Sequence, residues 1–174
     1  IASLLQSCSG NSKLSWVPEF YSNEEAEIIT KTLEVILPAT PEIPGATDLN
    51  LAQFLDGYAM HVSGENERMR IKNLVKEYIS MTLTLTGKET VSALTMDDIE
   101  SRVAFYLKAD KFKQEDWQTG SSKDSQNFQF ISTLRSGGVR AFKMSEFIGE
   151  NVMAYSPIPG RQVGCVDLLE ATGG

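Results

Sequence analysis

Ser22-Asn23-Glu24-Glu25-Ala26-Glu27-Ile28-Ile29-Thr30-Lys31-Thr32-Leu33-Glu34-Val35-Ile36-Leu37-Pro38 is the stretch that decides the fold class. Ser22 is a helix N-cap residue, and Glu25 three positions on completes a capping box. Ala26, Ile29, Leu33 and Ile36 recur at helical spacing, and Ile28, Val35 and Leu37 widen the apolar stripe. Pro38 stops the run, because proline has no N–H to donate and its ring clashes with the preceding turn. Residues 38–47 then read Pro38-Ala39-Thr40-Pro41-Glu42-Ile43-Pro44-Gly45-Ala46-Thr47, with almost no helix potential and a turn at Pro44-Gly45. As a connection this segment needs only to be stiff. As a recognition element, its stiffness lowers the entropy lost on docking.

The same start-stripe-stop grammar repeats downstream. Thr47 or Asp48 caps a helix over 49–62 with Leu51, Phe54, Leu55, Tyr58, Ala59 and Val62 inward, weakened but not broken by Gly57. A third helix runs over 65–81, where Ile71, Leu74, Val75, Tyr78 and Ile79 form one stripe. Met81-Thr82-Leu83-Thr84-Leu85-Thr86 alternates as a strand would, but no pairing strand lies nearby, so it reads as the end of that helix. Thr95 caps a further helix to Lys108, with Ile99, Val103, Tyr106 and Leu107 inward. Asp97 and Asp98 sit in its first turn, where the macrodipole favours carboxylates, and read as cap residues rather than an acid–base pair.

Residues 109–123 are charged, contain Gly and Ser and carry Trp117, which predicts a long surface loop. A helix after Asp124 places Phe128, Ile131 and Leu134 inside and ends or kinks at Gly137-Gly138. Val139 to Phe147 forms one more. Upstream, Trp16-Val17-Pro18-Glu19-Phe20-Tyr21 is an aromatic lead-in. The expectation is an all-α fold: five or six amphipathic helices in one domain spanning 16–174, with extended, proline-containing N- and C-terminal segments. Ile36, Leu55, Tyr58, Leu74, Tyr78, Val103 and Leu134 are expected to share one core.

Composition narrows the function classes. A chain of 174 residues suits one domain, burying about 70% of its extended surface. With 41% hydrophobic and 22% charged residues the balance is that of an ordinary globular protein. The net charge is −7 and no basic block or basic–aromatic run occurs, which argues against nucleic-acid binding. Cys8, Cys165 and His61 are the only cysteines and histidine, too few for a Cys/His zinc site without a distant carboxylate. Neither Cys-x-x-Cys-His nor Gly-x-Gly-x-x-Gly is present, so no attached haem and no flavin or dinucleotide cradle is expected in this chain. No run approaches the roughly 18 apolar residues of a helical membrane span. His61 reads as a surface or boundary histidine. No nucleophile–base–orienter set is evident, so no catalytic, cofactor-binding or metal residue is expected.

The two ends carry the remaining signals. The first residue is Ile1 rather than Met, as expected of a processed chain. Ile1-Ala2-Ser3-Leu4-Leu5-Gln6-Ser7-Cys8 reads like the end of a secretory signal running into a lipobox, although Gln6 is unusual there. Cys8 is then a lipidation site and residues 1–15 a signal remnant and tether; the alternative is an incidental cysteine. At the far end stand Ser145-Glu146-Phe147-Ile148-Gly149, Tyr155-Ser156-Pro157-Ile158-Pro159-Gly160-Arg161 and Gly164-Cys165. Pro157 and Pro159 fix φ twice before Gly160, which is free to take φ > 0. The expectation is a rigid, bent tail that exposes Arg161 and delivers Cys165. Arg161 reads as a contact at an interface rim or to a phosphate or carboxylate. Cys165 reads as a buried thiol, an interchain disulfide or a bond to Cys8.

The two irregular segments together resemble the gluconate 2-dehydrogenase subunit 3 family, the small (gamma) subunits of membrane-bound flavoprotein dehydrogenases. The resemblance rests on Ile36, Pro38, Thr40, Pro44, Gly45, Ala46 and Asp48 in order and spacing. At the other end it rests on Thr133-Leu134-Arg135, Ser145-Glu146, Gly149, Tyr155, Pro157, Pro159, Gly160, Arg161, Gly164 and Cys165. It touches residues 16–60 and 128–168, while 61–120 contribute only helical character. Ser136-Gly137-Gly138 departs from it, where a better helix former is expected.

The resemblance implies a non-catalytic accessory subunit of a periplasmic flavin-dependent alcohol or sugar dehydrogenase, supporting folding, export or stability of the flavoprotein. It implies a large partner of the glucose–methanol–choline class holding FAD, and a c-type cytochrome with haem c as a third subunit. Membrane contact would come only through a lipid on Cys8. Partner contacts are expected at Pro41, Pro44, Gly45, Tyr155, Pro157, Pro159, Gly160, Arg161 and Cys165. The alternative is a stand-alone periplasmic lipoprotein binding module of the same fold. An exposed apolar patch favours the subunit.

Overall fold

The computed structural model describes residues 14–153. Among them it contains seven α-helices, one short 3₁₀ turn and no strand, which is the expected fold class. Helix α1 (Asn23–Ile36) starts on the capping box: the Ser22 hydroxyl accepts the Glu25 N–H at 3.2 Å, and the Glu25 carboxylate accepts the Ser22 N–H at 2.8 Å. Helix α2 (Leu51–His61) follows the proline-rich connection, and α3 (Glu65–Thr86) follows after a short turn. The threonine-rich end of α3 is helical throughout. It stops at Gly87, whose φ of 66° is a left-handed cap that suits glycine. A 3₁₀ turn (Val91–Ala93) leads to α4 (Met96–Leu107), which opens on a second capping box made by Thr95 and Asp98.

Three expectations are corrected. The first concerns residues 109–123, which do not form a long loop. Lys111–Thr119 is helix α5, started by Asp110, whose carboxylate accepts the Lys113 N–H at 3.0 Å. Gln114 fastens it to the end of α4 by donating to the carbonyls of Tyr106, Leu107 and Ala109 at 3.1–3.2 Å. Trp117 is only 9% exposed and packs among Phe105, Tyr106 and Phe128, with ring centroids 5.3–5.7 Å away. No other side chain of α5 is buried, so its polar composition hides the one that enters the core.

The second concerns Gly137-Gly138, which neither ends nor kinks its helix. Helix α6 runs unbroken over Lys123–Met144, and α7 (Glu146–Asn151) follows after Ser145. A Cβ on Gly138 would stand 2.6 Å from Leu33 Cδ2, so the glycine is where α1 presses onto the α6 backbone. A helix-weakening residue is tolerated because the packing contact requires it. α6 is the central element, packing against α1, α2, α3, α4, α5 and α7.

The third concerns α2. Its buried face is Leu51, Ala52, Asp56 and Ala59 with Leu55 half-buried, so Phe54, Tyr58 and Val62 lie outward rather than in the core. Its cap is Asn50, with φ 53°, rather than Thr47 or Asp48. The Asp48 carboxylate accepts the Gly45 N–H at 2.9 Å instead. Of the expected shared core, Leu74, Tyr78, Val103 and Leu134 are buried, Ile36 and Leu55 pack at its edge, and Tyr58 is 38% exposed.

Candidate functional site

The proline-rich connection is a closed loop held by one carboxylate. Glu34, near the end of α1, accepts the Thr47 N–H at 2.9 Å, the Thr47 hydroxyl at 2.6 Å and the Ala39 N–H at 3.4 Å. The backbone adds Ala46 N–H to Leu37 O and Thr40 N–H to Ile43 O, both at 2.8 Å. Gly45 is buried inside this closure: a Cβ there would lie 2.6 Å from Ala39 N and 2.7 Å from Glu34 Oε1. Pro41 and Glu42 face solvent at the loop tip and Pro44 is half-buried. Of the three expected contact residues in this loop, the structure therefore places Pro41 and Pro44 at the surface and Gly45 beneath it.

The aromatic lead-in is held by a second carboxylate, this one buried. Asp56, 2% exposed, accepts the backbone N–H groups of Glu19, Phe20 and Tyr21 at 2.7–3.3 Å. Three donors aimed at one carboxylate make its burial tolerable. Lys72 adds a charge-assisted bond to Glu25 at 2.6 Å and lies 4.7 Å from the centre of the Phe20 ring. Burial, reinforced by the nearby Asp56 and Glu25 charges, pushes the Tyr21 hydroxyl well above the ordinary tyrosine range.

Tyr21 also lines an open groove of about 850 Å³ between α2, α3 and α6. Leu55 and Ala59 form the α2 wall, Ile71 and Leu74 the α3 wall, and Phe130 and Leu134 part of the α6 wall. The rest of the α6 side is narrow, because Ser132, Thr133, Ser136 and Gly137 stand there. Two charged residues line the groove. Glu67 is held by Arg70 through two bonds of 2.8 and 2.9 Å, and these keep its carboxyl below the usual range. Arg140 lies 5.4 Å from the Tyr58 ring and makes no ion pair among the described residues. Phe54, 47% exposed, continues the aromatic rim 6.3 Å from Tyr58.

The sequence missed this groove. Phe54 and Tyr58 read as core residues, and Arg140 carried no signal. The run of small residues at 132–133 and 136–137 was the available clue, since small side chains along one helix face leave space beside it.

His61 pairs with Glu19 at 2.9 Å, both side chains largely exposed, so it is the surface histidine expected. Asp98 is a cap residue as read, and also pairs with Lys88. No group of three or more His, Cys, Asp or Glu side chains that could hold a metal occurs among the described residues. No helix there is long and apolar enough to cross a membrane. Cys8, Tyr155, Pro157, Pro159, Gly160, Arg161 and Cys165 lie outside the described residues.

Compared with known proteins, residues 23–160 match the family model described as gluconate 2-dehydrogenase subunit 3. No curated protein and no solved structure matches the chain.

Proposed function

The chain belongs to the gluconate 2-dehydrogenase subunit 3 family, and from that premise we propose that it is a non-catalytic accessory subunit of a periplasmic flavin-dependent alcohol or sugar dehydrogenase. The family is one of subunits in an oxidoreductase complex. The observation that carries the reading is the match itself, because it spans all seven helices and the closed proline loop. An apolar groove with a half-exposed aromatic rim supports it, since subunits keep such surfaces for their partners. The partner is a flavoprotein of the glucose–methanol–choline class, which holds FAD and oxidises the substrate; a c-type cytochrome subunit takes the electrons. This chain supports folding, export or stability of the flavoprotein. Cys8 carries a lipid that tethers it on the periplasmic side.

Co-expression of the full chain with the flavoprotein subunit encoded beside it tests the assignment. The two are expected to co-purify with flavin in the larger subunit, and omitting the small chain is expected to lower dehydrogenase activity. Deleting 154–174 removes no residue of a described helix. It is expected to keep the helical circular-dichroism signal and lose co-purification, which locates partner contacts at Tyr155, Pro157, Pro159, Gly160, Arg161 and Cys165. A monodisperse full-length chain that recovers no flavoprotein moves the function to a stand-alone binding module. Mass spectrometry of membrane-extracted protein tests the tether: an unmodified Cys8 behind intact residues 1–7 overturns it.

A further inference from the structure

We propose that the groove between α2, α3 and α6 seats an apolar segment of the flavoprotein subunit that carries a carboxylate, which Arg140 receives; this rests on the accessory-subunit reading above. Charge is the first argument. The chain carries −7 overall, yet α6 from Ser125 to Met144 holds Arg135, Arg140 and Lys143 and no acidic residue. Of the two charges lining the groove, Glu67 is already satisfied by Arg70. Among the described residues Arg140 has only the face of Tyr58, so the groove presents a guanidinium with no ion pair there. A planar guanidinium of this kind recognises a carboxylate through two parallel bonds.

Composition is the second argument. Tyr and Arg dominate the residues that carry binding energy at protein interfaces, and here Tyr58 and Arg140 stack at the rim with Phe54 beside them. Ring faces left half-exposed in the free chain offer apolar area with little side-chain freedom left to lose. Shape is the third. The groove is open to solvent, and the small Ser136 and Gly137 on its α6 side leave room for side chains from outside. Its charged lining is Arg140 and the Arg70-paired Glu67, set beside the apolar walls of α2 and α3. The closed proline loop, by contrast, spends its polar groups on the Glu34 carboxylate and on backbone bonds of its own, with Pro41 and Glu42 exposed at its tip.

Two exposed positions test the proposal with little risk to the fold. Arg140→Glu reverses the charge, and Ser136→Trp fills the trough from its open side; Phe112→Ser, on α5 and 82% exposed, is the control. Binding of each full-length variant to the purified flavoprotein subunit is measured by calorimetry, with circular dichroism confirming the fold. The expected losses are about 100-fold for Ser136→Trp and at least about tenfold for Arg140→Glu, with partial recovery in Arg140→Lys and no change in Phe112→Ser. If wild type binds and both groove variants bind equally well, the groove is not the seat, and the accessory-subunit reading stands. Equal loss in the control, or variants that instead dissolve a dimer of this chain in sedimentation, also overturns the proposal. If wild type does not bind, the accessory-subunit reading itself fails, and the groove assignment falls with it.

Discussion

Along α6, residues Lys123 to Ile131 and residues Ser132 to Met144 are packed in opposite ways. The first half is closed by large rings: Phe128 meets Trp117, and Phe130 lies 4.7 Å from Tyr78. The Tyr106 hydroxyl, accepting from Arg102 at 2.7 Å and donating to Asp124 at 2.9 Å, links opposite charges across α4 and α6. Burial pushes the Tyr78 hydroxyl up to about 12 and the Tyr106 hydroxyl above the ordinary tyrosine range, with Asp124 adding to the latter. The second half is narrow. Gly138 lets α1 touch the backbone, and one residue earlier Gly137 leaves ordinary contact distance to Leu55 and an open groove beyond. The same helix thus packs large rings along its first half and leaves an open groove beside part of its second, and side-chain size decides which.

Replacing Trp117 with alanine should have the largest effect on this contrast. Loss of its ring contacts is expected to lower unfolding free energy by about 3–5 kcal/mol, read by chemical denaturation; a loss below about 1 kcal/mol would mean α5 is not part of the closed half. Gly138→Ala comes next. Its new Cβ meets the fully buried Leu33 at 2.6 Å, and such overpacking is expected to cost about 1–3 kcal/mol. Gly137→Ala should do the reverse. The Cβ sits 3.4 Å from Leu55 Cδ2, and the gain in helix propensity is expected to raise stability by about 0.5–1 kcal/mol. Neighbouring glycines responding with the same sign would break the division drawn here.

The smallest effect is electrostatic and lies at the start of α4, behind the closed half. Bonds from Lys88, and then from Thr95, hold the Asp98 carboxyl at about 2 rather than its ordinary 3.8. A depressed carboxyl contributes its stabilisation in full above pH 3.8 and loses it as pH falls toward 2. Asp98→Asn should therefore flatten the acid limb of the stability curve in that window. Its exposure keeps the change at neutral pH small. An unchanged acid limb would remove Asp98 from the account.

The sequence was most legible where the helix grammar was local. The α1 capping box, the Thr95 cap, the α1 stripe and the helical reading of Met81 to Thr86 are set by neighbours within one or two turns. Legibility failed where long-range contacts decide. Asp56 is a poor core residue until the backbone of 19–21 is brought to it, and its burial turns α2 so that Phe54 and Tyr58 face out. Gly137-Gly138 signals a helix end until Leu33 and Leu55 arrive to use the space. Trp117 is the one buried side chain of α5, and one aromatic in a polar run makes no stripe. The groove is the sum of the α2 and α6 placements, so no single segment announced it.

The three bonds from residues 19–21 to Asp56 span 35–37 positions of chain, and they have a mechanical consequence. A pull applied to the chain ahead of Trp16 would not peel α1 from its first turn. The load would pass at residues 19–21 into α2, short-circuiting α1 and the proline loop. Under force, that carboxylate clasp is the element expected to yield first, and Asp56→Asn should lower the rupture force measured by single-molecule stretching from the N-terminal side.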